Sequence, residues 1–390
     1  MNFSPRALLE AVAVVGTFCS LAFYLLSTIA LASFLRDLRK RKNGTPSGSE
    51  FPPVSILKPL RGVDPEIYES FRSHCQQKYP EFELIFGVSD RADPACDLVR
   101  KLQAQYPRLP IKLVVCEKAL GANIKVSNLA QMLPEARHEI LLVNDSDIRV
   151  EPDYLQQVVA PLADAKVGMV TCLYRGVAAP TLGSRLEALG ISTDFIPGVL
   201  SARLLEGGLH FGLGSTLAFR RQDLISLGGF EAFLDYLGDD YELGRRIAAS
   251  GKRVELAGSA VATFLPAYTM KQFFLHQLRW SRTIRDARRG GYFGLVLTFG
   301  LPWALIAMLA SGGAAWASAL FAITLCIRLL VGLSAAVTTL RDRQSFRNTF
   351  LLPLRDLIAP IVWAAGLVGN RIHWRGDVFD LKNGRLTKAS

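Results

Sequence analysis

Two hydrophobic rhythms run along the chain. Ala11–Leu35 holds no charged residue and exceeds the roughly 20 residues that a helix needs to cross a bilayer. From Val54 to about Arg289 short apolar runs recur instead, at Val54–Leu57, Glu83–Val88, Ile111–Val115 and Glu139–Val143. The amphipathic stretches between them are long enough for crossover helices. This rhythm predicts an α/β domain on a parallel, Rossmann-like sheet with helices on both faces. After Gly290 long apolar runs return. Tyr292–Ala310 and Ala314–Leu340 are candidate spans, divided by Ser311-Gly312-Gly313. Thr349–Val368 contains Pro353, Arg355, Asp356 and Pro360, which favour a re-entrant or interfacial helix over a plain crossing. The chain thus divides into an N-terminal transmembrane anchor and basic linker (1–50), an α/β domain (51–290) and a C-terminal membrane region with a basic tail (291–390).

Charge sharpens the membrane reading. Net charge is +11, from 45 basic and 34 acidic residues. The basic residues bunch at Arg36–Lys42, Arg279–Arg289, Arg341–Arg347 and Arg371–Lys388, each beside an apolar run. Such flanks suit cytoplasmic headgroups, so Arg36–Lys42 puts the α/β domain in the cytosol of a multi-pass membrane protein. The first apolar run is too long for a signal peptide, and its basic cluster follows it rather than preceding it. The Gly-, Ser- and Pro-rich segment Asn43–Pro53 reads as a linker. The polar middle of the chain has no basic stripe or aromatic platform, so nucleic acid is not an expected partner. The six cysteines form no C-x-x-C pair and are expected to be reduced.

Ligands of open α/β sheets bind beyond the carboxyl ends of the strands, and four features gather there or after. Val143-Asn144-Asp145-Ser146-Asp147 ends the most apolar run. Asp145 and Asp147 can hold a hard divalent cation, Mg²⁺ or Mn²⁺, which takes carboxylates together with substrate phosphates. An Asp-rich turn in solvent is the plainer account of the same residues. Asp90 follows the run Glu83–Val88 and suits a nucleotide base or ribose, while Asp93-Pro94 suits a helix start. Gly238-Asp239-Asp240 opens an amphipathic helix. Its carboxylates serve either as caps or, at Asp240, as a general base for an acceptor hydroxyl. His276-Gln277-Leu278-Arg279-Trp280 stands at the edge of the second apolar region. Arg279 can fork onto phosphate and Trp280 can stack on a sugar, or the pair can anchor a helix at headgroups.

As an ordered set these features resemble family 2- and 21-type glycosyltransferases of GT-A fold, specifically the ceramide glucosyltransferase group and its bacterial branch of hopanoid biosynthesis. The pattern there is three separated aspartate motifs followed by (Q/R)-x-x-R-W. Asp90, Asp145 and Asp240 match the first three and Arg279-Trp280 the last pair. Supporting stretches are Lys58–Pro65, Gly121–Leu129 and Asp145–Val150, and the resemblance covers about Pro53 to Arg285.

The resemblance implies an inverting transfer of a hexose, glucose or N-acetylglucosamine, from a UDP-sugar to a lipid hydroxyl of a hopanoid polyol or ceramide-like lipid. In that scheme Asp240 is the base, Asp145 and Asp147 hold the metal and diphosphate, Asp90 contacts uridine, Lys125 approaches the donor phosphates, and Arg279 and Trp280 close the site. A compact, Ala- and Arg-rich chain points to a bacterial cytoplasmic membrane. Two departures stand out: His276 occupies the Q/R position, and Ser192-Thr193-Asp194-Phe195 lacks a histidine that relatives carry ahead of the acceptor region. A processive polysaccharide synthase and a non-catalytic nucleotide-sugar-binding membrane protein are the alternatives; the former normally has more spans than are visible here.

Overall fold

The computed structural model describes residues 4–44, 51–374 and 377–388. The centre of the expected linker, 45–50, lies outside the described residues, as do the side chains of Arg41 and Lys42. The chain forms two compact units. One, the helical unit, gathers Met1–Asp37, Ala178–Leu204 and Ala267–His373; the other, the sheet unit, gathers Leu38–Val177, Leu205–Pro266 and Trp374–Ser390.

The sheet unit is built on eight strands: β1 (Val54–Pro59), β2 (Phe82–Val88), β3 (Ile111–Val115), β4 (Ile140–Val143), β5 (Ile148–Arg149), β6 (Val167–Val177), β7 (Leu217–Arg220) and β8 (Arg253–Phe264), in the order β3-β2-β1-β4-β7-β6-β8-β5. Strands β1, β2 and β4 are buried along their whole length, which explains why they are mostly apolar. They run parallel, with Leu57 beside both Ile85 and Val143, so their carboxyl ends open on the same side. The parallel half was visible in the sequence rhythm. Beyond β4 the sheet is mixed: β7 runs antiparallel to β4 and β6, β6 and β8 are parallel, and β5 runs antiparallel to β8.

The basic C-terminal stretch is folded. Asp377–Lys382 and Arg385–Lys388 pair antiparallel around Asn383-Gly384, both at positive φ, the conformation of a tight primed hairpin turn. Leu386 N–H donates to Asp235 O (2.7 Å), and Leu237 N–H to Gly384 O (3.0 Å).

Among the described residues, four helices are long and apolar enough to cross a membrane: Pro5–Lys40, Leu182–Leu205, Ala315–Leu340 and Thr349–Leu367. A fifth candidate is the pair Arg289–Thr298 and Gly300–Ala310, bent by 49°. Leu8, Val15, Phe18, Leu25, Ile323 and Leu330 are exposed large apolar side chains on these helices, as lipid-facing surfaces require. Small residues allow close packing: Gly16 lies under the Trp303 ring and Gly300 under Tyr24. Leu182–Leu205 contains a π-helical turn, Ile191–Phe195.

Candidate functional site

In the sheet unit the loops after β1, β2 and β4 leave from one end of the sheet, and buried polar contacts fix the last of them. The Asn144 side chain is fully buried and donates to Tyr154 Oη (2.9 Å) and Ser215 O (2.7 Å), while its Oδ1 faces His74 Nε2 at 3.2 Å. Burial first, then the nearby Lys58 charge, hold His74 well below its ordinary pKa. Lys58 itself is fully buried in β1 and donates to Asp145 O (3.0 Å). Burial pulls its ammonium down to about 7, against the pull of Asp147 and Asp145. Ser146 donates to Asp64 Oδ2 (2.6 Å), tying the β4 loop to the β1 loop.

Asp145 and Asp147 point to different partners. Lys125 Nζ lies 2.8 Å from Asp145 Oδ1 and 3.3 Å from Asp239 Oδ2. Asn123 caps the helix Ile124–Met132 by accepting from Val126 N–H (3.2 Å), which puts Lys125 in the first turn. Burial works against the Lys125 charge, but Asp145, Asp239 and Asp240 together raise its pKa. Asp147 accepts from the Thr263 hydroxyl, a contact set up by the pairing of Ile148 with Thr263 between β5 and β8. Burial, and then Asp145, push Asp147 up to about 6.

Asp239 and Asp240 open the helix Asp239–Ala249. Asp240 Oδ1 accepts from Tyr241 N–H (2.8 Å), and burial followed by Asp239 raises Asp240 to about 6, with Lys125 opposing. The absence of a side chain at Gly214 makes the convergence measurable. A Cβ there would lie 3.0 Å from Asp240 Oδ2 and 3.2 Å from Asp145 Oδ2, so carboxylates about a hundred residues apart in sequence share one small space. Gly244 of the same helix abuts the backbone of Phe211 and Gly212, and Phe211 stacks on Tyr241 at 5.6 Å. That contact seats the helix start beside Gly214.

Asp90 lies exposed at the end of β2, its Oδ1 accepting from Ala92 N–H (2.9 Å). Among the described residues it shares no hydrogen bond with the Asp145–Lys125–Asp239 group. Asp93 accepts from Ala95 N–H (2.9 Å) at a helix start, and also from Gly62 N–H (2.8 Å). Among the described residues no three His, Cys, Asp or Glu side chains are grouped to hold a metal. The oxygen-only donors of Asp145 and Asp147 are of the kind that suits a hard cation completing its shell with phosphate and water.

Arg279 and Trp280 belong to the helical unit. Their helix, Met270–Ala287, starts with a capping box between Thr269 and Gln272. His276, Arg279 and Trp280 follow at i, i+3 and i+4, on one face. Arg279 Nη2 lies 3.0 Å from His276 Nε2, and Trp280 packs edge-on against Phe195 at 5.5 Å.

His74 and Thr263 were not singled out from sequence, and Lys58, Asp64, Asn144 and Asp239 entered only within quoted motifs, without an assigned role at the site.

Comparison with known proteins is consistent along nearly the whole chain. Residues 12–387 match the model of glycosyl transferase family 21. Ceramide glucosyltransferase 1 of Caenorhabditis elegans is 23% identical over 385 residues, 94% of this chain and 79% of the relative. Ceramide glucosyltransferase 3 of the same organism is 23% identical over 388 residues, 95% and 81% of the two chains. Among solved structures, a mannosyltransferase from Pyrobaculum calidifontis in complex with GDP-Man and Mn²⁺ shares the fold, with a TM-score of 0.52 and 20% identity over 92% of this chain and 96% of that one.

Proposed function

Because the chain belongs to glycosyl transferase family 21, we propose that it is an inverting membrane hexosyltransferase, moving glucose or N-acetylglucosamine from a UDP-sugar to the hydroxyl of a hopanoid polyol or ceramide-like lipid. The observation that carries this reading is the meeting of Asp145 and Asp240 over Gly214, with Lys125 bound to Asp145 and Asp239. One carboxylate is thereby close to a site for a diphosphate, and a cation is already held there.

Asp240, raised to about 6, is tuned toward the pH at which a base is both ionised and able to take a proton. It accepts the proton of the lipid hydroxyl as that oxygen bonds to the anomeric carbon. The bond from that carbon to the diphosphate oxygen breaks on the opposite face, and UDP leaves with the bonding pair. Lys125 offers its charge to the departing phosphates. Asp145 and Asp147 would hold Mg²⁺ or Mn²⁺, which supplies further neutralisation of the diphosphate when bound; the Mn²⁺ complex of the Pyrobaculum calidifontis relative supports a divalent ion. Asp90 contacts the uridine in this reading, and the resemblance assigns Arg279 and Trp280 to the donor as well. The long apolar helices support membrane residence, and the basic flank after the first supports a cytosolic sheet unit.

The test is direct. Purified protein in bilayer nanodiscs, given UDP-glucose or UDP-N-acetylglucosamine, divalent metal and a panel of lipid polyols and ceramides, should release UDP and yield a lipid heavier by one hexosyl unit. A ladder of product masses would instead indicate a processive synthase. Donor binding without turnover on any lipid would indicate a binding protein.

A further inference from the structure

His276 stands where the resemblance expects Gln or Arg, and the helical unit contains what that change requires. Its Nε2 faces Arg279 Nη2 at 3.0 Å. A guanidinium has donors and no acceptor, so this Nε2 must be the unprotonated nitrogen. A neutral imidazole then carries its hydrogen on Nδ1. That nitrogen is buried and takes no aligned hydrogen bond among the described residues; facing it at 3.3 Å is Glu187 Oε1. Glu187 is only 2% exposed. Its second oxygen accepts from Gln277 Nε2 (2.6 Å), and Gln277 Oε1 accepts from Arg355 Nη2 (3.0 Å). Consecutive residues of one helix therefore meet the same buried carboxylate. The imidazole is also held by rings on either side, Tyr268 at 5.4 Å and Trp280 at 5.9 Å.

We infer that Glu187 is a positioning residue that fixes the His276 tautomer and, through it, the orientation of Arg279 toward the donor. The inference rests on the reading of Arg279 as a donor-binding group. A Gln at position 276 offers a fixed amide oxygen to Arg279 and has no ring tautomer to set. A histidine can shift its proton. With hydrogen on Nε2 it would meet the guanidinium donor to donor, and Arg279 would turn away. Glu187 opposes that shift because its buried carboxylate, 3.3 Å from Nδ1, favours a hydrogen on that nitrogen over a lone pair.

The first measurement is spectroscopic. Full-length protein labelled with ¹⁵N at histidine, in nanodiscs, should show a His276 ring protonated at Nδ1 and bare at Nε2, assigned by loss of the signal in His276→Gln. Glu187→Gln, whose single oxygen is already claimed by Gln277, should shift this ring toward a mixture of tautomers. A wild-type ring protonated at Nε2 would overturn the inference.

The second is a double-mutant cycle on donor turnover. Glu187→Gln should raise the donor KM about fivefold in the parent chain, in the range of coupling between contacting side chains, and leave it unchanged in a His276→Gln background. An equal loss in both backgrounds assigns Glu187 to helix packing alone and overturns the inference. Arg279→Ala separates the two readings. An unchanged donor KM in that variant defeats the donor role of Arg279, while the ¹⁵N measurement still decides whether Glu187 sets the tautomer.

Discussion

At the scale of single residues, the carboxylates divide by environment. Asp240 and Asp147 are both raised to about 6 by burial, then by a neighbouring aspartate. Asp90 is exposed, its carboxylate serving a local turn. If Asp240 is the base, kcat/KM should rise with pH through a limb near 6 and level off above it, measured as UDP release at fixed metal. Asp240→Asn should cut turnover by about 100-fold or more, the usual scale for a positioned base, and leave donor affinity within about threefold. The same pKa makes this variant a clean test. A carboxyl raised in the folded state stabilises the fold while protonated, and that contribution is lost as pH rises from its ordinary value through about 6. Ionised Asp240 is therefore a burden at neutral pH, and Asp240→Asn should melt at or above the parent temperature there, with the advantage gone near pH 4. A lower melting temperature at pH 7.5 would mean that lost activity reflects unfolding. Legibility follows the same division. Asp145, Asp147, Asp239 and Asp240 stand out in the sequence because they sit at ends of predicted elements. The contacts of Thr263 and Asn144 do not, because they depend on which strand lies beside which.

At the scale of elements, the parallel strands β1, β2 and β4 were legible from mostly apolar runs, as full burial on both faces demands. The order around β7 was not, since a four-residue antiparallel strand with three buried residues has the same local pattern as a parallel one. Leu182–Leu205 was also missed as an apolar helix, because Glu187, Ser192, Thr193 and Asp194 interrupt its hydropathy; the structure buries Glu187, Ser192 and Thr193 against partners within the helical unit. The glycines give element-scale predictions of opposite kind. Gly214→Ala places a methyl between Asp145 and Asp240 without entering a left-handed backbone region. It should reduce kcat/KM about tenfold or more, the scale of a small misplacement at a reacting centre, with little change in melting. Gly244→Ala drives a methyl into the Phe211–Gly212 backbone and should lower stability by roughly 1–3 kcal/mol, read as a lower melting temperature. The C-terminal hairpin acts at the same scale. It bonds to Asp235 and Leu237, just ahead of Asp239, and Arg385 lies over the Tyr236 ring at 5.1 Å. Truncation after Trp374 should loosen the start of that helix and lower kcat more than donor affinity. Full activity without the hairpin would remove it from the account of the site.

At the scale of the whole molecule, the feature that resisted sequence reading was charge inside the apolar helices. Asp356 counts against a plain crossing at Thr349–Val368, and Arg328 is a charge within the candidate span Ala314–Leu340. In the helical unit they explain one another. Arg328 donates from Nε and Nη2 to both oxygens of Asp356 at 2.9 Å, and from Nη1 to Thr193 O at 3.0 Å, and it is ion-paired with Asp194. One guanidinium thus joins three helices through a fork that matches a carboxylate. The arrangement lets Thr349–Leu367 stand as a helix of spanning length despite Arg355 and Asp356, since both are buried within the unit. Breaking a buried pair on one side leaves an uncompensated charge, whereas removing both sides does not. Arg328→Met should therefore lower stability by about 3–5 kcal/mol, read as a drop in melting temperature in detergent or nanodiscs. Arg328→Met with Asp356→Leu should recover a large part of that loss. The recovery should stop short of the parent chain, because Asp194 loses one of its two arginine partners and the Thr193 carbonyl loses its donor. If the double variant melts at the sum of the two single losses, Arg328 and Asp356 act independently, and the charges in these helices need an explanation outside their pairing.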